Sequence, residues 1–77
     1  MPRRTQADPV SRRFGEAVRR TRRERGETLE QVAHRIERMD EKYLGELERG
    51  WHSPTLPTAK RIADALDTPL AELVSGL

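Results

Sequence analysis

Signals that start or stop a helix recur so closely along this chain that neither a long helix nor a run of strands fits between them. Asp8-Pro9, Gly26, Thr28, Asp40, Gly50, Thr55 and Thr68-Pro69 cut the 77 residues into pieces of a few helical turns each. Asp and Thr side chains accept the orphan N–H groups of a helix start, Pro suits the first turn, and Gly takes the left-handed backbone just past a helix end. Between these signals the apolar residues return at steps of three and four, the period of one helix face. Val10, Phe14 and Val18, continued by Thr21 and Arg22, mark a first helix ending near Gly26. Thr28-Leu29-Glu30-Gln31 has the form of a capping box, and Leu29, Val32, Ala33 and Ile36 are the inner stripe of the helix it opens. Asp40 caps a third helix with Tyr43, Leu44 and Leu47 inward. Thr55 caps a fourth with Leu56, Ala59, Ile62, Ala63 and Leu66, and a fifth runs from Leu70 to Ser75. The expected fold is all-α: one compact five-helix domain over residues 8–77, preceded by a flexible basic arm at residues 1–7. Its second and third helices meet at a tight turn, the arrangement of a helix-turn-helix.

Several functions are disfavoured at once. There is no cysteine, and His34 and His52 have no partner at ligand spacing, so neither a disulfide framework nor a metal site is expected. No apolar run nears the length of a membrane span, and the arginine-rich start lacks the apolar core of a signal peptide, which predicts a cytoplasmic protein. No nucleophile, base and orienting group can be assembled, so neither catalysis nor a cofactor is expected.

The formal charge of +2 conceals an asymmetry. Residues 1–26 hold nine arginines against Asp8, Glu16 and Glu24, whereas residues 27–77 hold six basic residues against ten acidic ones. An arginine run is either a solvated helix face or an electrostatic footprint for a polyanion. The third helix is the acidic puzzle: MDEKYLGELERG carries Asp40, Glu41, Glu46 and Glu48 against Lys42 and Arg49. With Leu44 and Leu47 inward, positions 41, 42, 45, 46 and 49 face out, while Glu48 lies one turn from Leu44 beside the buried stripe. Arg22, one turn from Val18, flanks the buried stripe of the first helix in the same way.

The stretches FGEAVRRTRRERGETLEQVA, YLGELERG and SPTLPTAKRIADALDTPLAELV, in that order from Phe14 to Val74, resemble the lambda-repressor-like helix-turn-helix family, also called the Cro/CI or xenobiotic-response-element family. Within it the chain is similar to the small dimeric controller proteins of restriction-modification systems and to small phage-type repressors. The turn departs from the family pattern, because Ile36-Glu37-Arg38-Met39 is one residue longer and lacks the usual Gly. The resemblance pairs Arg22 with Glu48 in a semi-buried salt bridge between the first and third helices.

It also implies a homodimeric DNA-binding transcriptional regulator, prokaryotic or phage-borne and nucleoid-associated, whose third helices enter successive major grooves of a palindromic operator. Glu41, Lys42, Gly45 and Glu46 are then the base-facing set, since Lys can donate to guanine and Glu can accept from cytosine. Thr28, Arg38, Tyr43, Arg49, His52 and Ser53, together with Arg3 and Arg4 of the arm, are the candidates for phosphate contact. Leu70, Leu73, Val74 and Leu77 are the candidate dimer interface. Two other readings stay open: an antitoxin of the same fold that binds DNA and masks a toxin, and a protein-interaction module whose acidic helix docks on a basic partner and never binds DNA.

Overall fold

The computed structural model of the protein describes residues 8–77. Five helices follow in chain order: α1 Pro9–Glu24, α2 Leu29–His34, α3 Glu41–Glu48, α4 Leu56–Ala65 and α5 Leu70–Leu73. No strand occurs among the described residues. The residue 1–7 arm, with Arg3 and Arg4, lies outside them.

Four of the starts use the expected caps. Asp8 accepts from the Ser11 N–H at 2.8 Å, Asp40 from Tyr43 at 2.7 Å, and Thr55 from Thr58 at 3.3 Å. The α2 capping box is complete: the Thr28 hydroxyl accepts the Gln31 N–H at 3.1 Å, and the Gln31 side chain accepts the Thr28 N–H at 2.8 Å. The fifth start differs. Thr68 does not cap α5; its hydroxyl donates to the Leu66 carbonyl, Pro69 occupies the N-cap, and the helix is a single turn.

The core is one cluster to which every helix contributes, with Val18, Val32, Leu44, Leu47, Ile62 and Leu66 fully buried. Two apolar residues expected on inner faces are not there. Val10 is 53 % exposed and Leu56 77 % exposed, each in the first turn of its helix. Leu73 moves the other way: it is 3 % exposed and belongs to the core, so it cannot also form a dimer interface.

The α1–α3 crossing decides where α3 sits. A methyl group on Gly15 would run into the Leu47 carbonyl oxygen and lie 2.9 Å from that of Glu48, so only glycine lets the α1 backbone meet the end of α3. Just beyond, Gly50 has φ 82° and closes α3 with the Trp51 N–H bonded to the Glu46 carbonyl. A side chain there would also strike Arg12, whose Cα would be 3.0 Å away. The Arg22 guanidinium then grips Glu48 through two bonds, Nε to Oε2 at 2.8 Å and NH2 to Oε1 at 3.1 Å. Its NH1 donates to the Glu27 carbonyl at 2.8 Å, which ties the α1–α2 connection to the same point. The Glu48 side chain is only 4 % exposed, and the pair holds the Arg22 guanidinium in its charged form.

Gly15→Ala is expected to force α1 and α3 apart at a cost of about 1–3 kcal/mol or more, as overpacking of a tight contact does. Urea denaturation would read this as a lower midpoint. Glu48→Ala leaves the Arg22 charge without its carboxylate, held only by the Glu27 carbonyl, and is expected to cost ~3–5 kcal/mol, whereas replacing both partners by apolar residues of similar volume should cost much less. A double-mutant comparison by thermal melting separates these outcomes.

Candidate functional site

The outer face of α3 is set by what its inner face must bury. Leu44 and Leu47 point into the core and Glu48 into the α1 contact, which turns Glu41, Lys42 and Arg49 outward, all three exposed. These residues, with Leu29 of α2, Gly45 and Glu46, line one shallow groove along the helix. Gly45 is buried at its floor, where a methyl group would stand 3.4 Å from a Leu29 methyl carbon. It offers the groove only backbone.

Glu46, expected to face bases, is turned aside. Its carboxylate lies 2.8 Å from His52 Nε2 and 3.9 Å from Lys42 Nζ, and its side chain is 14 % exposed. The His52 ring stacks on Tyr43, centroids 4.6 Å apart and planes within 20°. Burial raises the Tyr43 phenol above its ordinary pKa, so the ring is a half-buried platform with its proton in place. Tyr43, His52 and Glu46 thus form one cluster on the flank of the groove.

The other phosphate candidates are also dispersed. The Ser53 hydroxyl is 2.6 Å from that of buried Ser11, a part-buried polar contact that the helical pattern of α1 does not announce. Thr28 spends its hydroxyl oxygen and its backbone N–H on the capping box, so neither is an orphan awaiting an anion. The Arg49 guanidinium lies over Trp51, 5.3 Å from the ring centroid.

Arg38 stands at the apex of the α2–α3 turn with φ 65°, in the left-handed region, and the turn is closed by the Met39 N–H bonding the Ile36 carbonyl. A type II turn wants a glycine at that third position. Here an arginine accepts the conformation.

One network was not foreseen. Arg35 at the end of α2 pairs with both Glu27 carboxylate oxygens and donates to the Ala65 carbonyl at 2.7 Å, and Arg25 reaches Glu27 at 3.2 Å. Hydrogen bonds from Arg35 and then Arg25 hold the Glu27 carboxyl below its ordinary pKa. These residues are not at helical neighbour spacing, so periodicity gives no sign of the network. No group of His, Cys, Asp or Glu among the described residues is arranged to hold a metal ion.

Residues 13–75 match the family model described as a helix-turn-helix domain. No curated protein matches at a significant level. Among solved structures, the chain is similar to the clp gene regulator ClgR from Corynebacterium glutamicum, at 28 % identity over 88 % of this chain and 87 % of that one, with a TM-score of 0.83. It is similar to the restriction-modification controller protein C.AhdI from Aeromonas hydrophila, at 32 % identity over 80 % and 92 %, TM-score 0.74. The DNA-binding domain of BldD from S. venezulae shares 25 % identity over 87 % and 99 %, TM-score 0.77. The matched segment runs from within α1 through α5 and includes the capped α2, the turn at Arg38 and the whole of α3, and the chain belongs to the helix-turn-helix domain family.

Proposed function

We propose that the chain is a DNA-binding transcriptional regulator that acts as a homodimer on a palindromic operator, with α3 placed in the major groove. The observation that carries this reading is the disposition of charge on α3. Of its four carboxylates, Asp40 is a cap, Glu48 is clamped by Arg22, and Glu46 is held by His52. That leaves Glu41, exposed next to Lys42 and on the same face as Arg49. A helix that looked too acidic for DNA therefore offers one acceptor and two cations to a groove. Its neighbours in structure include a protein titled as a DNA-binding domain and others titled as gene regulator and controller protein, which favours the same reading.

In this reading Lys42 donates to guanine O6 or N7 and Glu41 accepts from cytosine N4, so a G·C pair belongs in each half-site. Gly45 contributes close backbone approach, and Glu46 acts indirectly, through Lys42. Phosphate contact falls to Arg49 and Arg38, both exposed, with Tyr43, His52, Ser53 and Thr28 as rims of the groove. The dimer forms through the exposed Val74 and Leu77 and the half-buried Leu70. No helix among the described residues is long and apolar enough to cross a membrane, which fits a cytoplasmic, nucleoid-associated protein.

Selection from random duplexes is expected to enrich an inverted repeat with half-site centres about 34–36 Å apart, or a multiple of that spacing. Enrichment of unpaired sites would rule out the symmetric dimer, and no enrichment at low salt would rule out DNA reading altogether. Glu41→Ala should relax preference at one base pair by ~1–3 kcal/mol while sparing the others.

The cluster on the flank makes a second claim. His52→Ala removes the bond that draws the Glu46 carboxylate toward the loop, and binding should weaken roughly tenfold, on the order of 1 kcal/mol of added repulsion. His52→Gln keeps a donor for Glu46 and should bind close to the parent. Equal loss in both variants, measured by fluorescence anisotropy with melting as the folding control, would rule out this role for His52.

A further inference from the structure

The corner between α2 and α3 brings two arginines from distant parts of the chain to one cleft. Arg38 stands at the corner and Arg61 comes from α4, with Glu37, Tyr43 and Thr58 among the other walls. Both arginines are exposed, and neither side chain makes a hydrogen bond or ion pair with another described residue. The acids nearby are engaged or outnumbered. Asp64, which shares a neighbouring concavity with Arg61, is paired with Lys60 at 2.7 Å, and Glu27 is taken by Arg35 and Arg25. Glu37 lines the cleft without an ion pair, so two guanidiniums stand there against one carboxylate.

Two further observations point to an anion. Arg38 holds φ 65°, a backbone that side-chain-bearing residues rarely adopt and that clusters at ligand clamps. A glycine would take the same turn without strain, so what the arginine adds is its side chain. Tyr43 is half-buried, its ring stacks on His52, and its hydroxyl bonds no other described residue. Burial keeps the phenol proton in place, which makes the hydroxyl a donor. Through Tyr43 the cleft continues from the cluster on the flank of the α3 groove.

We propose that Arg38, Arg61 and the Tyr43 hydroxyl form a site for a phosphate group, occupied by a backbone phosphate of the DNA strand that passes the N-terminal end of α3. The choice of a strand rests on the reading of α3 as a DNA reader; the choice of a phosphate rests on the donors. A guanidinium is a planar fork of N–H groups that matches phosphate oxygens, and here two forks and a hydroxyl lack an acceptor in the protein. Arg38 lies just before Glu41, the first residue of α3, so a strand bordering the α3 groove runs beside the corner. The exposed face of α3 sets Glu41 against Lys42 and Arg49 and supplies little net attraction, while affinity for duplex DNA comes mainly from cations facing phosphates. Arg61 thereby becomes a binding residue on a helix outside the helix-turn-helix itself.

The test measures affinity of the full chain for its selected operator across a series of salt concentrations, with melting as the folding control. Arg61→Gln and Arg38→Gln are each expected to lower the slope of log K against log salt by about 0.9, and together by about two, with base preference unchanged. Arg38→Gly separates site from scaffold: it relieves the left-handed residue and should raise the melting midpoint while lowering the slope as Arg38→Gln does. Tyr43→Phe should weaken binding several-fold at the parent slope. Arg61→Lys should keep the slope, and so should Lys60→Gln, the control on the same helix. In a second arm, inorganic phosphate is titrated into the chain without DNA while the side-chain Nε–H signals of Arg38 and Arg61 are followed by NMR. A lowered slope in the variants assigns the site to the strand, whether or not free phosphate moves the two signals. A parent slope in folded Arg61→Gln overturns the site and leaves the reading of α3 standing. If the parent binds no duplex at low salt, that reading fails: both signals moving then assigns the site to a free phosphate-bearing molecule, and neither moving overturns the site as well.

Discussion

The placement of α3 depends on a two-point fastening to α1, and the rest of the fold is arranged around it. At one point Gly15 admits the last carbonyls of α3; at the other Arg22 grips Glu48 in a forked pair. The fork matters more than the charge alone, since a guanidinium matched to a carboxylate fixes direction as well as distance. Because the same guanidinium holds the Glu27 carbonyl, the entry to α2 is registered against the exit of α3. A helix of eight residues has little stability of its own, so α3 exists as a helix because it is docked. The outer face of α3 and the hydrophobic core are therefore formed by the same event.

That dependence explains the composition of α3. A helix held at both ends by polar contacts needs acids, Asp40 for its own N–H groups and Glu48 for α1, and neither is addressed to a ligand. Glu46 extends the pattern to the loop after α3, where His52, stacked on Tyr43, reaches back to it. Most of the negative charge that seems unsuited to DNA is thus consumed by architecture. The excess positive charge of the chain is displaced to α1, beside the same crossing.

Much of this was legible in the order of residues. Caps are local chemistry, so Asp8, Thr28, Asp40 and Thr55 announce their helices correctly, and the three-and-four spacing finds Val18, Val32, Leu44 and Ile62. Periodicity states which residues share a stripe; it does not state how far along the stripe a neighbour extends. Val10 and Leu56, on the apolar stripes, are exposed all the same, and Leu73 is covered. The site was less legible than the fold, because pairings such as Glu46 with His52 and Ser11 with Ser53 join segments through tertiary packing. One clue was available and is general: a glycine in mid-helix costs about 1 kcal/mol relative to alanine, and Gly15 marks a place where another element's backbone comes close.

The left-handed arginine at the α2–α3 corner has a consequence for portability. A side-chain-bearing residue in that region pays about 1–2 kcal/mol in backbone sterics, and here Ile36 on one side and the docked α3 on the other hold Arg38 to it. The bend is imposed by the surrounding fold and is not written into the turn itself. Lifted out as a peptide, or grafted onto another scaffold, the two-helix unit would open at residue 38 unless that position were given a glycine. The corner belongs to its domain, and a transplanted copy would carry the letters of the motif without its angle.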